Sequence, residues 1–313
     1  MKIQRGIISL LAITFVYLLL LTWADTKNQV FQQLPALATV LPVLMAFAFA
    51  SYVLRYLRWH WLLRRTGLRI GFARGFIAYL AGFAFTATPG KAGELVRIRY
   101  FEPLGVSAPV VISAFVYERA FDLIVVLAFA SLAAVQFSLF PLLAVFVAVF
   151  LGLVVFLAKH SGLIIRLSGW LRLRKQRRLS RLGRVLGHGM AGAGHWMTMT
   201  DITVALLLGS AAWGITTLAF VYLLLQLGIL LPLGTAVALY PIAMLAGAAS
   251  MMPGGLGSTE ATIVVLLLAL KAPLVTASIA AVGIRLASLW FAVFLGLACM
   301  AWLESGRTNT HGR

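Results

Sequence analysis

Two stretches of this 313-residue chain share an unusual order of residue types. The first reads Pro89-Gly90-Lys91-Ala92-Gly93-Glu94, and the second Pro253-Gly254-Gly255-Leu256-Gly257-Ser258-Thr259-Glu260. Each is Pro-Gly-x-x-Gly with a glutamate shortly after. An arginine inside an apolar run follows each, Arg119 thirty residues after Pro89 and Arg285 thirty-two after Pro253. Proline lacks an N–H and glycine admits unusual backbone angles, so both stretches break a helix. Inside a bilayer the freed backbone groups must line a cavity or pack within protein. A helix starting after Pro89-Gly90 presents N–H groups that favour an anion, and Lys91 adds charge. That combination suits a phosphate or a lipid headgroup. The second break has Gly255 where the first has lysine, but Ser258 and Thr259 can hydrogen-bond and Arg285 supplies charge. The competing reading is a pair of glycine packing notches with a kink.

Other charges stand in or beside apolar segments: Glu94, Glu102, Glu118, Asp122 and Glu260, with Lys91, Arg97, Arg119 and Arg285 as cations. A charge at mid-bilayer costs about 2.5–3.5 kcal/mol on insertion scales, so retaining several implies pairing, a wet cavity, or both. In Glu118-Arg119-x-x-Asp122 the two carboxylates are four apart and share a helix face, and Arg119 can pair with Asp122. Lys91, Arg97, Arg119 and Arg285 are the candidate headgroup binders. Glu94, Glu118, Asp122 and Glu260 are the candidates for charge balance or proton coupling. The alternative is that these charges only neutralise one another and lock helices together. No nucleophile–base constellation stands out, Gly90-Lys91-Ala92 fails the phosphate-loop pattern, and His188 and His195 find no partners for a metal. Neither a cofactor nor a metal is expected.

The elements that must position these groups follow from composition. Hydrophobic residues make up 62% and charged residues 11%, and the mean hydropathy is +1.00. A soluble surface needs about 25% charged residues. The chain therefore reads as an all-α polytopic membrane protein, and secreted, cytosolic and disordered classes are excluded. The excess of 26 Lys+Arg over 8 Asp+Glu sits beside apolar spans, which points to orientation and anionic lipid rather than nucleic acid. The lone Cys299 permits no internal disulfide.

Spans are expected near 6–24, 36–54, 110–137, 140–158, 202–229 and 274–302. Phe76–Thr88 is too short to cross comfortably, and both it and the apolar piece Ala236–Met252 stop at the Pro-Gly breaks. Six spans with two re-entrant hairpins, or eight full spans, both fit. The first half, about 36–158, and the second, about 202–302, then form inverted repeats within one membrane domain, 1–313. The basic segment 159–200 joins them, either as a helix lying in the headgroup plane or as a solvated loop. Residues 55–74 hold six basic residues, starting with Arg55 and Arg58, with Trp59 and Trp61 expected at the headgroups. Residues 159–188 hold nine more. Positive charge stays in the cytoplasm, which puts both termini there. Inverted repeats with Gly/Pro-interrupted segments at matching positions point to a transporter site.

The ordered set Pro89-Gly90-x-x-Gly93-Glu94-x-x-Arg97, Glu118-Arg119-x-x-Asp122 and Pro253-Gly254-Gly255-Leu256-Gly257-x-x-Glu260 resembles the flippase-like membrane region of lysylphosphatidylglycerol synthases, over about residues 6 to 302. The resemblance implies a multi-pass protein of a bacterial cytoplasmic membrane that moves aminoacylated phospholipids between leaflets. Stand-alone relatives are similar to proteins of hopanoid, glycolipid or polyprenyl-lipid pathways. The chain stops at Arg313, so no aminoacyl-transferase domain and no synthase activity are expected. The resulting expectation is a non-enzymatic flippase or transporter of a phospholipid or related anionic lipid. Two rivals are a membrane-embedded headgroup transferase with Glu94 or Glu260 as general base, and an accessory subunit partnered with a lipid-biosynthesis enzyme.

Overall fold

The computed structural model describes residues 37–173 and 177–308. The expected first span, 6–24, lies outside them. The described residues are helical and contain no strand: α1 (Leu41–Arg65), α2 (Phe72–Ala81), α3 (Ile98–Phe101), α4 (Ala108–Ala130), α5 (Phe140–Lys159), α6 (Ser161–Leu173), α7 (Arg177–Ala193), α8 (Met199–Gln226), α9 (Leu233–Ala249), α10 (Ser258–Ala269), α11 (Leu274–Arg285) and α12 (Phe291–Thr308). Among them, Leu41–Arg65, Phe140–Leu157, Met199–Gln226 and Leu274–Ser305 are long and apolar enough to cross a membrane. The protein is an all-α polytopic membrane protein.

Helices α1 and α8 run antiparallel through the centre. Trp61 and Arg65 at the end of α1 meet Asp201 at the start of α8, while Phe47 near the start of α1 meets Tyr222 near the end of α8. Helix α4 also opposes α1, because Arg58 reaches Glu118 whereas Arg55, one turn back, reaches Asp122. These contacts define two ends of the bundle. One is marked by Asp201, the other by the hydrogen bond from Thr235 to Gln136.

Each Pro-Gly segment leaves one end, turns in the middle and goes back. Helix α2 starts beside Tyr56 and reaches Tyr52 at Phe83. The chain then breaks, and Phe101 lies beside Trp59 again. From the opposite end, α9 passes Phe220 at Tyr240, breaks at Pro253–Gly255 and returns as α10. The two elbows touch at their tips. A Cβ built on Gly254 would stand 3.0 Å from the Ala87 Cα, and Ala87, Leu256, Leu289 and Val293 form a small apolar cluster around this contact.

The last helix is continuous with α11 through one π-helical turn, Leu286–Trp290. Such turns insert a residue and often lie at functional sites. Here Tyr52 donates to the Ser288 carbonyl at 2.7 Å, and the Ser288 and Tyr240 hydroxyls are 3.1 Å apart. Farther along, Gly296 lies against the backbone of Phe83 and Ala84 in the first elbow, leaving no room for a side chain.

Two expectations are corrected. The span placed at 36–54 is a helix from Leu41 to Arg65. Arg55, Arg58 and Trp59 are all buried inside the protein. They share a face with Ser51 and Leu62, and that face turns inward rather than to lipid. The segment 159–200, read either as a helix or as a loop, is mostly the helices α6 and α7. Helix α7 leans on α4, where the Ser113 hydroxyl donates to the Gly189 carbonyl at 2.7 Å.

Candidate functional site

The first elbow is built around a carboxylate. Glu94 is 1% exposed. One of its oxygens accepts from the Thr86 hydroxyl at 2.8 Å, and the other from the Arg97 guanidinium at 2.8 Å. Thr88 closes the turn by accepting from the Gly93 N–H at 2.7 Å. Gly93 itself lies so close to the Phe85 carbonyl, 2.5 Å from a built Cβ, that only glycine fits. Gly90 and Lys91 both have left-handed backbones, with φ of 58° and 55°. That region is free to glycine but costs roughly 1–2 kcal/mol for a residue with a Cβ. Lys91 therefore stands where glycine would be easier.

The second elbow is held by Arg285. Its Nε lies 2.8 Å from Glu260, and another guanidinium nitrogen donates to the Gly254 carbonyl at 2.7 Å. This single side chain ties α11 to both the break and the helix that follows it. Gly254, Gly255 and Gly257 have positive φ. Ser258 bonds to Ser250 and to the Gly255 carbonyl, and Thr259 packs against Gly247 and Gly255. Both hydroxyls are thus used within the elbow and do not reach the cavity.

Between the elbows lies a connected set of buried ions. Arg58 is 2.7 Å from Asp122 and 3.2 Å from Glu118. Arg55 is 2.7 Å from the other Asp122 oxygen. Arg119 approaches Asp122 at 3.3 Å and Glu118 at 3.5 Å. Glu118 also accepts from the Tyr79 hydroxyl at 2.6 Å. Arg97 is 0% exposed. Its guanidinium lies 4.3 Å from the Tyr79 ring and 4.8 Å from the Trp59 ring, and one nitrogen is 3.5 Å from Glu118. Burying ions is costly unless each is paired and hydrogen-bonded, and this network meets that condition for the carboxylates. Arg55 and Arg58 are the members that the sequence reading missed. They recur with Ser51 and Leu62 on one helical face, the spacing that marks an inward side.

A cavity of about 90 Å³ opens where the elbows, α1, α4, α8, α9 and the π-helical turn converge. Four cationic side chains line it, Arg55, Lys91, Arg119 and Arg285, against one acid, Glu94. Hydroxyls from Ser51, Thr86, Thr216 and Ser288 join them. The structure brings together three of the four expected headgroup binders, Lys91, Arg119 and Arg285, and adds Arg55. The fourth, Arg97, lies behind the wall among aromatic rings and does not reach the space. Lys91 makes no ion pair and no hydrogen bond from its ammonium among the described residues. Helix-break glycine Gly254 lines the cavity, while Gly90 and Gly93 shape the opposite elbow.

A family model described as the lysylphosphatidylglycerol synthase TM region matches residues 7–296. The chain belongs to that family. The match takes in both elbows and every ion of the network, from Arg55 to Arg285. Comparison with curated proteins and with solved structures gave no match. Membership places the chain among multi-pass membrane proteins with a lipid-related function.

Proposed function

We propose that this protein moves a lipid between the leaflets, passing a phosphate-bearing headgroup through the cavity while the tails stay in the bilayer. The observation that carries this reading is Lys91, a cation without a counter-ion in a space already lined by three arginines. An ammonium held in a strained backbone and left unpaired has a use when a ligand supplies the missing anion. The two broken segments support the same reading. They fold back from opposite ends and meet at Ala87 and Gly254, as two re-entrant hairpins of an inverted repeat would. Half-helices meeting at the midplane are a recurrent way to build a transport site.

In this reading Arg55, Lys91, Arg119 and Arg285 bind phosphate. Glu118 and Asp122 hold Arg55 and Arg119 in place, and Glu260 holds Arg285. Both oxygens of Glu94 are occupied, which favours charge balance over the role of a base. The protein acts as a non-enzymatic transporter of the cytoplasmic membrane, with its basic loops and both termini inside.

The test is translocation of a fluorescent phospholipid in proteoliposomes, read by quenching from outside. Arg119→Ala and Arg285→Ala should each slow translocation at least about tenfold, the effect of losing roughly 1.4 kcal/mol of charge interaction. Wild-type rates in both variants would remove the cavity from the mechanism.

A further inference from the structure

The cavity has an asymmetry that concerns its ligand's chemistry. It offers four cationic side chains to an anion and a single carboxylate to a cation. Its one lining carboxylate, Glu94, already accepts a hydrogen bond at each oxygen. The aromatic rings that line it also have partners. The Trp213 ring is covered by Arg55 at 4.7 Å. Phe83 has the Arg97 guanidinium 5.8 Å from its centroid. Tyr52 packs against Phe83 and Phe291, and Tyr240 against Phe220. An ammonium is best held by a carboxylate or an aromatic face, but the one lining carboxylate is already engaged and four cations would repel it.

We infer that the cavity selects a phosphate-bearing headgroup that carries no ammonium group, and that Lys91 is the residue that sets this preference. The inference rests on the lipid-transport reading of the same site and narrows it. Aminoacylated and zwitterionic phospholipids are then not the preferred ligands, although the family's name contains the former. Arg55, Arg119 and Arg285 are each engaged by a carboxylate. Lys91 is the lining cation without an ion pair among the described residues, so it sees the net charge of whatever enters.

The experiment measures binding to the purified full-length chain in detergent, by isothermal titration. The probes are the dioctanoyl forms of phosphatidylglycerol, phosphatidylethanolamine and lysyl-phosphatidylglycerol, and inorganic phosphate. Phosphatidylglycerol should bind at least about tenfold tighter than either amine-bearing lipid, with inorganic phosphate weaker than phosphatidylglycerol. Equal or tighter binding of an amine-bearing lipid overturns the inference. Inorganic phosphate binding as tightly as phosphatidylglycerol overturns a lipid as the ligand. Lys91→Gly removes the ammonium and relaxes the left-handed backbone, so its melting temperature should match or exceed the wild type. Its discrimination between phosphatidylglycerol and phosphatidylethanolamine should fall below about threefold, the loss of one unscreened charge contact. Undiminished discrimination overturns the role of Lys91. The two readings fail separately. Selective binding without translocation in proteoliposomes removes transport and leaves the selectivity, while equal translocation of all three lipids does the reverse.

Discussion

The Arg58 guanidinium spans the gap between α1 and α4 with one nitrogen, 2.7 Å from Asp122 and 3.2 Å from Glu118. Both acids also serve Arg119, and Asp122 serves Arg55 as well. Arg58 therefore helps to fix where the two acids stand, and through them Arg55 and Arg119.

Replacing Arg58 by Met should be severe. It takes a close cation from two buried carboxylates that keep other partners, so the cost should approach the roughly 3–5 kcal/mol of breaking a buried pair without exceeding it. The expected result is loss of a monodisperse peak in detergent, or a large fall in thermal stability. The double variant Arg58→Met with Asp122→Leu should lose less than the two single variants added together, because the pair shares one interaction. Strict additivity in thermal unfolding would show that the contact contributes no coupling.

Gly254→Ala tests the meeting of the elbows. The residue has φ of 61° and a built Cβ 3.0 Å from the Ala87 Cα. Left-handed strain alone costs roughly 1–2 kcal/mol for alanine, and the contact adds to it. Thermal stability should drop and lipid translocation should fall with it. A variant as stable as the wild type would mean that the tips do not touch in the membrane.

Charges standing alone in apolar runs were legible before the fold was known. Glu94 with Arg97, Arg119 with Asp122, and Glu260 with Arg285 all proved to be partners or near neighbours. The Pro-Gly breaks were legible for the same reason, since nothing else in the flanking runs interrupts a helix. Arg55 and Arg58 were not, because they merge into the basic run Arg64, Arg65 and Arg69. In sequence they read as the end of a span. Only the helix continuing to Arg65, with its Ser51–Arg55–Arg58–Leu62 face turned inward, separates them from that run. Asp201 was missed because its partners Trp61 and Arg65 are far away in the chain.

Asp201 offers a control outside the cavity. It is 1% exposed and binds Trp61 at 3.0 Å, Arg65 at 3.1 Å and the Thr198 hydroxyl at 2.6 Å. Asp201→Ala should cost about 0.5–1.5 kcal/mol, the net worth of a hydrogen bond whose donors water can reach. Headgroup preference in the binding assay should stay unchanged. A shift in preference would extend the site to the end of α1.

Tyr52→Phe removes the hydroxyl that satisfies the Ser288 carbonyl in the π-helical turn. A stability loss of about 1 kcal/mol is expected, seen as a modest fall in melting temperature. No change would mean that water replaces the hydroxyl at no cost.

The Gly296 notch has a mechanical consequence. With the Ala84 backbone seated in it, the first elbow cannot slide along the last helix without first being prised away, so the two travel as one body. Farther back on the same rod, beyond the π-helical turn, Arg285 grips the second elbow by its Gly254 carbonyl. One covalent lever thus reaches both elbows, and a tilt at one is delivered to the other without crossing the ligand space.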